Sequence, residues 1–180
     1  VEELFEARKP KKMAVLAEIS GTISIEETRK NAILAVNIVN EDEGETRVYM
    51  IPYSAGSLVS TGDHVDKGQE LTAGALNPHD VLRIRGVDDD EFGRPGVRNY
   101  LVQEVQKVYR NQGVNISDKH FEVMIRKMLS KVQVTKSGDS ELLPGELIDR
   151  LQLLDINEKL LAASKEPAAG VPILLGITKA

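Results

Sequence analysis

Three histidines, a run of aspartates and a lysine set between two glycines are the residues of this 180-residue chain whose types and spacing could do chemistry. His64, His79 and His120 lie far apart, and no two have the spacing of ligands to one metal. His79 follows Asn77-Pro78 at a helix entry, and His120 follows Ser117 in the first turn of another helix. All three read as structural. Asp88-Asp89-Asp90 lacks the alternating spacing of a calcium loop; with Glu91 it reads as a solvated acidic loop. No glycine-rich phosphate loop and no Ser-His-Asp set is present. With no cysteine in the chain, a disulfide framework and a cysteine-based zinc site are excluded. The expectation is a chain with no catalytic site, no metal site and no cofactor of its own.

The basic residues remain as candidates. The chain carries a net charge of -5, yet residues 98–136 hold eight basic side chains against three acidic ones, a local +5 that leaves -10 for the rest. A surplus of that kind suits an anion-facing surface. Lys107 and Arg110 end one expected helix. On the next, His120, Lys127 and Lys131 share a stripe, with Lys119 and Arg126 beside it. Two further basic sets are Arg8, Lys9, Lys11 and Lys12 near the start, and Arg29 and Lys30 at a hairpin tip. Such side chains fit the phosphates of duplex DNA, contacted without reading its sequence. The competing reading is a solvated face of a helical pair. Aromatic residues are scarce and tryptophan is absent, so no stacking platform for single strands is expected. No run is long enough to span a membrane, and no signal peptide is seen, so no membrane partner is expected.

The elements that must position these residues follow from periodicity. Residues 1–12 read as a helix end, stopped by Pro10. Residues 13–76 read as β: short alternating runs such as Thr22-Ile23-Ser24-Ile25, a hairpin tip at Glu41 to Glu45, and a turn segment Thr61-Gly62-Asp63-His64-Val65-Asp66-Lys67-Gly68-Gln69-Glu70-Leu71. The two glycines of that segment can each supply the positive φ of a tight turn. Similar spacing occurs in biotinyl and lipoyl barrels, but no modification triplet surrounds a lysine at the expected tip, and Lys67 reads as a turn residue. Residues 77–180 read as mainly helical with one short β segment at Val132 to Thr135. Asn77 is an N-cap with Pro78 behind it. A helix over 98–112 ends at Gly113, and Ser117 caps a helix whose buried stripe is Phe121, Met124, Ile125, Met128 and Leu129. Pro144-Gly145-Glu146 is expected to open a helix through Ile148, Leu151 and Leu154, and Val171 to Leu175 to enter a last one. The fold class is α+β: a small β barrel or sandwich followed by a mainly helical region. The chain opens on Val1 and stops on helix-forming residues, so it is expected to be a piece of a longer polypeptide.

The strings LFEARKPKK, GDHVDKGQELTAG, NPHDVLRIRGV, EVQKVYRNQGVNISDKHFEVMIRKML and LLGITKA occur here in an order that resembles the beta-prime subunits of bacterial DNA-directed RNA polymerases, in the C-terminal segment after the trigger loop called the jaw. The resemblance runs from Leu4 to Ala180. It implies a sandwich-barrel hybrid motif in the β part, and a helix end at residues 1–12 continuing from the trigger-loop region. It implies a cytoplasmic role in transcription as part of a nucleotidyltransferase, with the magnesium of the parent enzyme bound elsewhere and no catalytic centre in this segment. The implied partners are the other polymerase subunits, downstream duplex DNA and transcription regulators. The alternative is a biotinyl- or lipoyl-type carrier or adaptor barrel with a helical tail, supported only by GDHVDKGQEL.

Overall fold

A computed structural model of the chain describes residues 1–10, 13–28 and 33–180. They form two units: Lys9–Val97, and Val1–Arg8 together with Arg98–Ala180. The division therefore falls at 97/98 and not at the expected 76/77, and the first eight residues join the C-terminal half.

In Lys9–Val97, alternation places one apolar set on one face of a curled antiparallel sheet. Strands β1 (Gly21–Thr28), β2 (Ile33–Asn40), β3 (Glu45–Pro52) and β4 (His64–Val65) lie in the order β3-β2-β1-β4. The register pairs Ile23 with Ile38 and Ile25 with Val36, and Val36 in turn with Tyr49. Side chains with period two then converge: Ile23, Val36, Ile38, Ile51, Val65 and Leu71 are buried together with Ala17 and Val59. Residues 13–17 make no regular strand, against expectation. They run instead beside 68–75 through Ala14 N to Ala75 O, Ala17 N to Gln69 O and Leu71 N to Val15 O. The Tyr49 hydroxyl of β3 accepts from Glu18 N at 2.9 Å, which ties the end of this strap to the sheet. Gly62 and Gly68 take φ of +94° and +90°, as the turn reading requires. Helix α1 is only Glu2–Phe5, because Ala7 turns the backbone to φ +53° before Pro10 is reached. Helix α2 is Pro78–Ile84, with Asn77 Oδ1 accepting from His79 N at 3.1 Å.

The acidic loop is not simply solvated. Asp90 Oδ1 accepts from the backbone N–H groups of Phe92 and Arg94, at 3.0 and 2.8 Å, and Asp89 accepts from Gly96 N. Two guanidinium groups then dock the loop on the 66–70 turn. Arg85, its side chain 4% exposed, donates to the Gly68 and Pro95 carbonyls. Arg94 donates to the Lys67 carbonyl, lies 3.6 Å from Asp90 Oδ2, and stacks over Phe92. Charge on Asp90 is neutralised by Arg94, and the loop's backbone donors are met partly by its own carboxylates and partly by the Asp90 and Arg94 carbonyls, which accept from Gly93 N and Asp90 N.

In the other unit, α3 (Val97–Asn111, beginning one residue before the division) is followed by α4 (Asp118–Met128) and α5 (Arg150–Ala162). In place of one short β segment there is a three-stranded antiparallel sheet, with β5 (Lys131–Lys136) between β6 (Leu147–Asp149) and β7 (Ala169–Pro172). The expected helix at Pro144 starts six residues later. Ile148 belongs to β6 and is buried, whereas Leu151 and Leu154 are exposed, and Leu153 carries the inward contact with Val132, Val134 and Ala168. Val171 continues a strand, not a helix. Asn157 pins the return by a pair of bonds to Ala168, its Nδ2 donating to the carbonyl and its Oδ1 accepting from the amide. The first and last segments of this unit meet: Ile177 N donates to Phe5 O and the Thr178 hydroxyl to Glu6 Oε2, both at 2.8 Å.

Candidate nucleic-acid interface

Five of the candidate cations lie on two successive helices. On α3, Leu101, Val102, Val105 and Gln106 are buried, while Gln103, Lys107 and Arg110 are exposed. On α4, Phe121, Ile125 and Met128 are buried, and Lys119, Arg126 and Lys127 are exposed around Val123, with His120 also exposed. The 3.6-residue period produces this division in both helices. The helices are joined by rings: Phe121 stacks on Tyr109 of α3 at 5.5 Å and on Phe5 of α1 at 6.2 Å. Gly113 follows α3 as its C-cap signal. Ser117 precedes α4 but makes no side-chain capping bond.

Among the described residues Lys107, Arg110, Lys119, Arg126 and Lys127 form no ion pair, so their charge is available to an outside anion. Lys131 differs. It sits opposite Asp149 across β5 and β6, with its ammonium 2.9 Å from Oδ1. That hydrogen bond, then the Lys131 charge, and last the charge of Lys127, hold the Asp149 carboxyl below its usual range. Lys131 is therefore already occupied. Arg8 is exposed, at the 4.0 Å limit of a pair with Glu2. It closes one unit while Lys9 opens the other, so the N-terminal set is divided between them. Lys11, Lys12, Arg29 and Lys30 lie outside the described residues.

His64 is exposed, 3.4 Å from Asp66. Lys67 gives its backbone to the turn, its N–H donating to the Ser20 hydroxyl at 2.8 Å. Among the described residues no group of three or more His, Asp or Glu side chains could hold a metal ion, and no helix is long and apolar enough to cross a membrane. The residue that sequence reasoning missed is Gln106. It is 3% exposed, and its Nε2 donates to the Ile116 carbonyl at 2.6 Å and to Asp118 Oδ1 at 2.7 Å. A polar residue interrupting the apolar face of α3 beside Val105 was the available signal.

Residues 3–180 match the family described as RNA polymerase Rpb1, domain 5, and the chain belongs to that family. Over all 180 residues it is 52% identical to the DNA-directed RNA polymerase subunit beta-prime of Acetivibrio thermocellus, of which the match covers 15%. The corresponding subunits of Clostridium botulinum and Finegoldia magna are 52% and 50% identical, with 14% of each covered. The chain corresponds to a segment of a bacterial beta-prime subunit, and it spans only 14–15% of the length of the curated relatives it matches. The carrier-barrel alternative is not supported: the family match runs through the Gly62–Gly68 turn and the helical half alike.

Proposed function

We propose that the chain is a supporting element of a bacterial RNA polymerase that lies against downstream duplex DNA in the jaw and holds it through phosphate contacts from α3 and α4. The observation that carries this reading is the set of five exposed cations, Lys107, Arg110, Lys119, Arg126 and Lys127, unpaired among the described residues in a chain whose net charge is -5. Charge left unpaired on an otherwise acidic chain suits a polyanion. Exposed lysines and arginines on helix faces contact phosphates without sequence readout. In this reading the parent enzyme carries out templated nucleotidyl transfer in the cytoplasm, its magnesium ions are bound outside this segment, and the other subunits and transcription regulators dock around it.

The test replaces Lys107, Arg110, Arg126 and Lys127 by Glu in the full-length subunit assembled into polymerase. Removing one phosphate interaction lowers the slope of log affinity against log salt by about 0.9. Complexes on duplex templates should dissociate at lower salt, with unchanged sequence preference. Complex lifetimes equal to the parent enzyme across a salt series refute the reading and leave the helices with a solvated face.

A further inference from the structure

We propose that Gln106 is the positioning residue of this surface, setting α3 against α4 and so holding the two groups of cations at a fixed mutual placement. The inference rests on the duplex-facing reading of α3 and α4.

Gln106 lies in the middle of α3, between Val105, which is fully buried, and Lys107, which is exposed. Its amide reaches across the turn between the helices to two acceptors, 10 and 12 residues further on: the Ile116 carbonyl and the Asp118 carboxylate. Both contacts are short, and the one to Asp118 is charge-assisted. Its Oε1 is buried and has no hydrogen-bond partner among the described residues. The amide orientation is therefore dictated by the two acceptors alone. Turned over, it would set a carbonyl oxygen against a carbonyl and a carboxylate.

Among the described residues the entry of α4 has no other side-chain fastening of this kind. Ser117, its N-cap, makes no side-chain bond. Asp118 in the first turn is instead held from α3. Apolar contacts such as those of Phe121 are non-directional and permit sliding, whereas two hydrogen bonds to one planar amide do not. Fixing Gln106 fixes the rotation of α3 where it presents Lys107, one residue on, and Arg110, one turn on. Fixing Asp118 fixes where α4 presents Lys119, and two turns later Arg126 and Lys127. A leucine at 106 would fill similar space but supply no donor.

The experiment compares Gln106→Leu, Asp118→Ala and Asp118→Asn in the full-length subunit assembled into polymerase. Asn at 118 keeps an oxygen to accept from Nε2; Ala does not. Spin labels on encoded residues at the exposed positions 103 and 123 measure the separation of the helices without DNA. The expected result is a broadened distance distribution for Gln106→Leu and Asp118→Ala, and a parental one for Asp118→Asn. Duplex binding should follow: the salt slope falls by about one in the first two variants, equivalent to roughly one phosphate contact, and is retained in the third. If the quadruple Glu variant alters the salt slope while Gln106→Leu and Asp118→Ala leave both slope and distances parental, the positioning role is refuted and the duplex reading stands. If the distances broaden as expected but the quadruple variant binds duplex like the parent, the duplex reading is the one that fails, and with it the role assigned to Gln106. Should Gln106→Leu not assemble, Asp118→Ala, at an exposed residue, decides the same question.

Discussion

Replacing Gly68 by Ala should destabilise the half-barrel by about 2.5–5 kcal/mol, against about 1–2 kcal/mol for Gly62→Ala. Both glycines sit in the same turn segment at nearly the same φ, +90° and +94°. Each substitution therefore incurs the same left-handed backbone cost, about 1–2 kcal/mol. Each also gains the same unfolded-state benefit, which cancels in the comparison. The surroundings differ. A Cβ at 62 meets nothing within 4 Å, whereas one at 68 falls 3.1 Å from Arg85 Cγ and 3.3 Å from Asp90 Oδ2. The Arg85 side chain is 4% exposed and donates to the Gly68 carbonyl at 3.0 Å. It cannot swing into solvent without leaving that bond, a charge-assisted interaction of about 1.5–3 kcal/mol. The difference between the two variants thus isolates the guanidinium docking of the 88–96 loop. Hydrogen exchange of the Ala17 and Leu71 amides, which bond across the strap, measured over a urea series, reads the stability of this unit by itself. Equal costs for Gly62→Ala and Gly68→Ala would show that Arg85 yields freely and that the loop is not held by it.

Phe121→Ala should cost about 3–5 kcal/mol, since the ring is 5% exposed and stacks on two others; denaturant unfolding measures it, and a cost under about 1 kcal/mol would mean that the three rings do not join the helices. Asn157→Ala should free the Ala168 amide to exchange at least tenfold faster, because two main-chain groups lose their partners at about 1–3 kcal/mol each; unchanged exchange refutes the clamp. For Asp149 the folded carboxyl lies below its unfolded value, so its contribution to stability is complete above the ordinary aspartate range near pH ~4 and is lost as pH falls through the depressed folded value. Carboxyl titration by NMR should show Asp149 returning toward the ordinary range in Lys131→Met; a midpoint that stays depressed would assign the effect to another group.

What could be read from the sequence was whatever local periodicity dictates. The alternation at Ile23, Val36 and Ile38 and the helical stripe at Phe121, Ile125 and Met128 each report their own burial, because a single element's pattern decides it. The Asn77-Pro78 entry and the Gly62 and Gly68 turn were legible for the same reason. Three-way decisions were not. Leu147, Ile148, Leu151 and Leu154 suit a helix by spacing, but β5 offers a pairing edge that takes Leu147–Asp149 as a strand, and the helix must then begin at Arg150. Val171 was drawn to the other edge of β5 in the same way. The acidic loop read as solvated because charge alone suggested it; Arg85 and Arg94, five and four residues from Asp90, supplied partners that no periodic signal marks. Within the candidate interface the exposed cations of α3 and α4 were visible one by one. The occupation of Lys131 by Asp149 was not, since it depends on strand register, and neither was the reach of Gln106, since it depends on where the chain goes after Gly113.

The charge distribution limits how such a surface can act. The unit made of Val1–Arg8 and Arg98–Ala180 holds thirteen basic and thirteen acidic side chains and is neutral, so the net -5 of the chain belongs to Lys9–Val97. Within the neutral unit the charges are segregated: residues 98–136 are +5 and residues 137–166 are -4, with seven acids against Arg150, Lys159 and Lys165. A neutral body exerts little long-range pull on a polyanion, and the field of an exposed cluster is screened within about 8 Å at physiological salt. In the proposed reading, attraction therefore operates only when DNA is already close to α3 and α4. That suits a segment spanning 14–15% of its relatives' subunits better than a free-standing DNA binder, because in the proposed reading the rest of the enzyme brings the duplex to the surface. At so short a range the mutual placement of a few cations matters as well as their number, and that placement is what the Gln106 contact is proposed to set.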